Sequence, residues 1–129
     1  MSTASPCERT MVWLREQGYT VDKVEQRMPF GQVTRDFLGF ADILAVVVPL
    51  HGVVAVQATT SEHLMERVAK VQAEPRAAVW LACHNRIWVV GWGLRGEQGT
   101  RKVWVPRVVQ FGASLEYWNE QGKAEASTK

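Results

Sequence analysis

The stretch from Gly39 to Thr59, GFADILAVVVPLHGVVAVQAT, narrows what this chain can become more than any other. Two apolar runs of strand length flank the turn residues Pro49-Leu50-His51-Gly52, so the segment reads as two buried strands joined by a tight connection. Each strand carries one conspicuous polar residue, Asp42 near the start of the first and Gln57 near the end of the second. In an antiparallel hairpin the start of one strand lies beside the end of the next, which brings these two side chains together at one rim of the sheet. An acid and an amide are costly to bury among apolar neighbours without partners, which makes them candidates for a site.

The flanking sequence supplies the rest of the architecture. Ser5-Pro6 sets a helix start, with Ser as N-cap, Pro at the first helical position and Glu8 in the first turn. Cys7, Met11, Leu14 and Gly18 then recur at helical spacing, and Gly18 ends the helix. Tyr19 to Met28 reads as a first strand and Pro29 to Gly39 as a loop. After the hairpin the period changes: Thr60 or Ser61 caps a helix that buries Leu64, Val68 and Val71, with Met65 and Ala69 beside them, and that ends at Pro75. Ala77 to Cys83 is expected as a buried strand, His84-Asn85 as a turn, and Arg86 to Leu94 and Thr100 to Val109 as strands around a Gly-rich loop. Phe111 to Trp118 is expected as a short closing helix. The order α-β-β-β-α-β-β-β predicts an α/β domain with a mixed sheet and helices packed on it. One domain spans residues 1–129, with 1–5 and 120–129 as loose tails.

Several function classes lose ground on composition. A net charge of +2, from fifteen Lys and Arg against thirteen acids, does not demand a nucleic-acid partner but leaves room for a local basic face. Cys7 and Cys83 form no C-x-x-C pair, and no apolar run reaches the roughly 18 residues of a membrane span. Met1 to Arg9 lacks a basic-then-apolar signal pattern. These features predict a cytoplasmic protein without a membrane partner. His51, His63 and His84 show no zinc-ligand spacing, and no Gly-rich phosphate loop precedes a helix. Of six tryptophans, Trp80, Trp88, Trp92 and Trp104 fall in expected strands, where packing is the default role; base stacking and subunit contact are the alternatives.

Asp42, followed fifteen residues later by Gln57-Ala58-Thr59, resembles the signature of the PD-(D/E)XK nucleases, in which an Asp and then an acid, a spacer and a Lys close a β-hairpin. The helix bearing Glu8-Arg9 ahead of Gly18-Tyr19 looks like the Glu-bearing first helix of Holliday-junction resolvases and VRR-type nucleases. RDFLGFADILA followed by VVAVQATTSEHLMERVAK is similar to small phage and bacterial nuclease-like proteins that carry Val-Gln-x-Thr. The resemblance covers roughly residues 8 to 82. It implies a restriction-endonuclease-like fold and a DNA endonuclease that hydrolyses phosphodiester bonds with Mg²⁺ or Mn²⁺. In it Asp42, Gln57, the Ala58 carbonyl and Glu8 hold the metal, and Arg35, Arg67 and Lys70 meet DNA.

Two positions depart from the signature. Gln57 replaces an acid, so it brings no charge to the metal. Thr59 replaces the Lys that would orient water and stabilise charge on the phosphate, a role that passes to Arg67 or Lys70, which share one helix face. Each residue also has a structural alternative. Asp42 can cap a loop, Gln57 can satisfy backbone, Thr59 to Ser61 can be a cap cluster, and Arg67 and Lys70 can form a solvated face; Asp36, in the loop with Arg35, can add a carboxylate to the site or sit in a plain surface loop. Two rival readings therefore stand beside the enzyme: a nuclease-like module that binds nucleic acid or a protein partner without cutting, and a homodimer joined through the Trp-rich last strands.

Overall fold

Ser5 begins the first helix by satisfying its free N–H groups. In a computed structural model, which describes residues 4–27, 29, 34–113, 115–119 and 124–125, α1 (Pro6–Glu16) opens with a reciprocal cap. Ser5 Oγ accepts from the Glu8 N–H at 3.1 Å, and Glu8 Oε1 accepts from the Ser5 N–H at 3.2 Å. Leu14 is buried and Cys7 and Met11 are partly buried against the same cluster, as their spacing predicts. Gly18, at φ +95°, turns the chain out of the helix.

After α1 the chain forms β1 (Thr20–Lys23), a small hairpin of β2 (Gln26–Arg27) and β3 (Thr34–Arg35), and the central hairpin of β4 (Ile43–Val46) and β5 (Val54–Thr60). A 3-10 turn at Ser61–His63 leads into α2 (Leu64–Ala73), then α3 (Pro75–Ala82). Four strands close the fold: β6 (Arg86–Arg95), β7 (Val103–Phe111), β8 (Tyr117–Asn119) and β9 (Ala124–Glu125). Among the described residues, seven of these strands form one mixed sheet in the order β1-β4-β5-β6-β7-β8-β9. Every neighbouring pair is antiparallel except β5 and β6, which α2 and α3 connect as a crossover.

The sheet is covered on both faces. Leu14 of α1 packs on Ile43, Val54, Val56, Val90 and Trp92; Leu64, Val68 and Val71 of α2, with Ala77 and Leu81 of α3, pack on Ala55, Ile87 and Val89. The expectation of an α/β domain with a mixed sheet and packed helices therefore holds. Among the described residues, no helix is long and apolar enough to cross a membrane.

Four local expectations are corrected. Ala77 to Ala82 is helical and not a strand, with Cys83 as the C-cap: Pro75 stands at the first helical position, Glu74 accepts from the Arg76 N–H at 3.1 Å, and Ala77 and Leu81 repeat at i, i+4. Trp80 thus rides on α3, its Nε1 donating to the Arg86 carbonyl at 2.8 Å. The segment from Phe111 to Trp118 is not a helix; Tyr117 pairs with Phe111 across β7 and β8, their rings 5.8 Å apart. The first strand stops at Lys23, and Gln26–Arg27 pairs instead with Thr34–Arg35, which lies inside the expected loop. Neither Thr60 nor Ser61 makes a side-chain cap, and Met65 and Ala69 face solvent. Of the expected tails, Ser5 is fixed by its cap and Ala124–Glu125 pairs with β8; residues 1–3, 120–123 and 126–129 lie outside the described residues.

Thr10 carries a contact that helical periodicity did not single out. Buried on α1, it donates from Oγ1 to the Pro6 carbonyl at 2.7 Å and accepts from Trp92 Nε1 at 2.8 Å, tying the helix to the middle of the sheet. Thr10→Val keeps the shape but leaves the indole N–H unpaired, so urea unfolding should show a loss of roughly 1–3 kcal/mol. Val12→Thr, at an exposed position of the same helix, should change stability by less than about 0.5 kcal/mol.

Candidate functional site

Asp42 and Gln57 meet as the hairpin requires. Ile43 pairs with Val56, so one residue further along the ladder Asp42 stands opposite Gln57. Gln57 Nε2 donates to Asp42 Oδ2 at 2.8 Å, and the Ala58 N–H donates to the same oxygen at 2.9 Å. Asp42 is only 6% exposed and Gln57 3%. Gln57 Oε1 is buried without a hydrogen-bond partner.

Two further carboxylates arrive from the β2–β3 hairpin. Gln26 pairs with Arg35, so Glu25, just before β2, and Asp36, just after β3, end side by side. The Val24 N–H donates to the Asp42 carbonyl at 2.8 Å, which holds this part of the chain against the start of β4. Ligand oxygens of Glu25, Asp36 and Asp42 all lie within 4.8 Å of one another. Asp36 was only a weak candidate from sequence and Glu25 was not one.

Cations surround this cluster. Lys70 Nζ lies 2.6 Å from Asp36 Oδ2, and Lys23 Nζ lies 3.8 Å from Glu25 Oε1. Arg67 sits beside Lys70 in the cleft wall, its Nε buried without a partner. The cleft measures about 850 Å³ and is lined in addition by Arg35, Arg76, Ala58 and Cys7. Of the residues singled out from sequence, Asp42, Gln57, Ala58, Arg35, Arg67 and Lys70 are therefore brought together. Glu8 is not: it is exposed and engaged in the cap of α1. Thr59 is buried and does not line the cleft.

Burial dominates the electrostatics. It pushes the Asp42 carboxyl from its ordinary 3.8 up to about 7, against the Ala58 N–H, which favours the anion; the charge of Asp36, a hydrogen bond with Asp36 and the charge of Glu25 push further upward. The Cys7 thiol is raised to about 11 by burial first and by Asp42 next. It stays protonated at neutral pH and is no thiolate nucleophile.

No protein family, curated protein or solved structure matches this chain. Function must be argued from the cleft itself.

The raised Asp42 carboxyl gives a stability signature. The folded protein holds this proton to higher pH than the unfolded chain, so the stability it contributes is complete below about pH 4 and is lost as pH rises through about 7. Asp42→Asn keeps an oxygen for Gln57 and Ala58 and carries no charge, so this loss should vanish. At about 1.4 kcal/mol per unit of pKa, the variant should gain on the order of a few kcal/mol over the parent at pH 8 in metal-free buffer. Equal pH dependence of the two melting temperatures would show that Asp42 is ionised without penalty.

Proposed function

We propose that this chain is a metal-dependent nuclease that hydrolyses phosphodiester bonds of DNA in the cleft at Asp42, on the restriction-endonuclease-like plan. The observation that carries the reading is Gln57 Oε1, a buried acceptor without a partner beside three clustered carboxylates. A buried acceptor left unpaired is destabilising, and a cation is the partner this setting lacks. The plan is supported by the polar pair at one end of the central hairpin, Asp42 just before β4 and Gln57 on β5, with a helix following β5.

All the donors are oxygens, the set taken by hard divalent cations such as Mg²⁺ or Mn²⁺. Asp42, Asp36, Glu25 and Gln57 Oε1 would hold the ion. Bound there, such a cation supplies a more acidic water and a clamp for the scissile phosphate. Arg67 and Lys70 bind the phosphate oxygens and offset the charge that builds on them during hydrolysis. The pair with Lys70 occupies Asp36 Oδ2 and leaves the second oxygen of that carboxylate to serve as a ligand, with Lys70 beside it to meet phosphate. Arg35 and Arg76, on the cleft wall, hold the neighbouring backbone.

One observation favours the rival, a module that binds DNA without cutting it. Lys70 already offsets part of the cluster's charge through Asp36, so the site stands without metal. Two measurements separate the readings. If the nuclease reading is correct, single-stranded, duplex or branched DNA is cleaved with Mg²⁺ or Mn²⁺, cleavage stops in EDTA, and Asp42→Ala and Asp36→Ala fall to background. Cleavage absent from every substrate leaves the binding module.

The second measurement needs no activity. Gln57→Glu replaces the amide donor to Asp42 with a fourth carboxylate, so it should lower the melting temperature in EDTA. Mn²⁺ should then restore it, with a larger upward shift than in the parent protein, because added charge tightens the ion and binding to the folded state alone stabilises it. A melting temperature indifferent to millimolar Mn²⁺ in both proteins would remove the metal from the cluster.

A further inference from the structure

The sheet extends beyond the helix that covers it. On the α1 face, Trp92 is buried edge-on against Trp13 at 6.0 Å, but the next pair across β6 and β7, Leu94 and Trp104, is 47% and 39% exposed. Between this pair and the outer side of α1 lies a hollow of about 370 Å³ whose lining includes Arg9, Trp13, Glu16, Trp92, Trp104 and Pro106. The Arg9 guanidinium stands 4.3 Å from the centre of the Trp104 ring.

The wall of the hollow carries Arg9 and Glu16, and the connection beyond Trp104 makes the local balance positive. The β6–β7 connection carries Arg95, Arg101 and Lys102 against the single acid Glu97. Neither these three cations nor Arg9 has an acidic partner among the described residues. A half-exposed indole with one guanidinium on its ring and Arg101 and Lys102 on the adjoining connection suits a polyanion that presents flat rings, namely a nucleic-acid strand with unpaired bases. The hollow and the cleft at Asp42 also approach each other at the start of α1. Ala4 and Arg9 line the one, and Ser5, Pro6 and Cys7 line the other, so both open on the first turn of α1.

We propose that Trp104, with Arg9, stacks an unpaired base of a DNA strand whose backbone enters the Asp42 cleft, so that the substrate class is DNA with single-stranded nucleotides. This deepens the nuclease reading and rests on it. The base takes the exposed ring, and the Arg9 guanidinium turns to an adjacent phosphate.

The test is fluorescence anisotropy in EDTA and low salt, with a labelled oligothymidylate and a blunt duplex of equal length as probes. Trp104→Ala should weaken the single strand about tenfold, as expected for loss of one stacked base, and alter duplex binding less than twofold. Trp104→Phe should retain most of the affinity. Trp104→Leu, which keeps apolar bulk without a π face, should lose it, and serves as the second variant if the alanine protein does not fold. Unchanged single-strand affinity in Trp104→Ala or Trp104→Leu, or equal losses on both probes, overturns the proposal. So does a sedimentation shift from dimer to monomer in those variants, which assigns the patch to a second copy of the chain. Cleavage by the parent protein is measured separately. Intact cleavage without Trp104 dependence removes the stacking site alone, whereas Trp104-dependent binding without cleavage supports the stacking site and removes the nuclease reading alone.

Discussion

The structure turns on one buried carboxylate. Asp42 lies at the rim of the central hairpin with two donors on one oxygen, and hydrogen bonds to a charged acceptor are worth about 1.5–3 kcal/mol each. They do not win: desolvation and two neighbouring acids still lift its proton affinity to near neutrality. The orientation of Gln57 is a result of this. Turning its amide oxygen toward Asp42 would set two acceptors face to face, so the NH₂ must point there and Oε1 is left without a partner. A free oxygen and an anion short of compensation are thus one consequence of one buried charge. A cation held by the three carboxylates would supply the compensation that this anion lacks.

The placement of the cations depends on how closely α2 approaches the sheet. The 3-10 turn at Ser61–His63 lies directly on β6, where Gly91 and Gly93 offer no side chain. A Cβ at Gly91 would stand 3.1 Å from Leu64 Cβ, and one at Gly93 would stand 2.5 Å from Ser61 Oγ. The bare surface lets Leu64 anchor the start of α2 at full burial. Arg67 and Lys70 come one and two turns later, which aims them at the cleft rather than along the sheet. The Gly91-Trp92-Gly93 sequence therefore serves packing on one face and, through Trp92, the Thr10 contact on the other.

The central hairpin, α1 and the buried face of α2 were readable because each carries a period or a cap that sequence expresses locally. Ala77 to Cys83 was not, since seven small and apolar residues carry no period that separates strand from helix, and the decision lay upstream in Glu74 and Pro75. The tail from Phe111 was settled by pairing with β7, a long-range contact invisible in its own composition. The site divides the same way. Asp42 and Gln57 came from strand pairing, and Arg67 and Lys70 from the resemblance, which lacks its Lys here, together with their shared helix face; Glu8 could be read either as a ligand or as a first-turn acid, and the reciprocal bonds with Ser5 engage it in the cap.

Glu25 reaches the site by the same antiparallel geometry that joins Asp42 to Gln57, taken one strand further. The end of the first strand lies beside the start of the second, and Lys23 indeed pairs with Ile43. The chain from Val24 onward must therefore pass the Asp42 rim. Once it turns into the β2–β3 hairpin, the pairing of Gln26 with Arg35 commits Glu25 and Asp36 to the same spot. The four paired residues of that hairpin are exposed, so its position is fixed at its base. There the Val24 N–H bonds the Asp42 carbonyl on one side and Asp36 meets Lys70 of α2 on the other. The two acids that the central hairpin does not supply are therefore held at the rim by backbone pairing and by an ion pair to the same helix that brings Arg67 to the cleft.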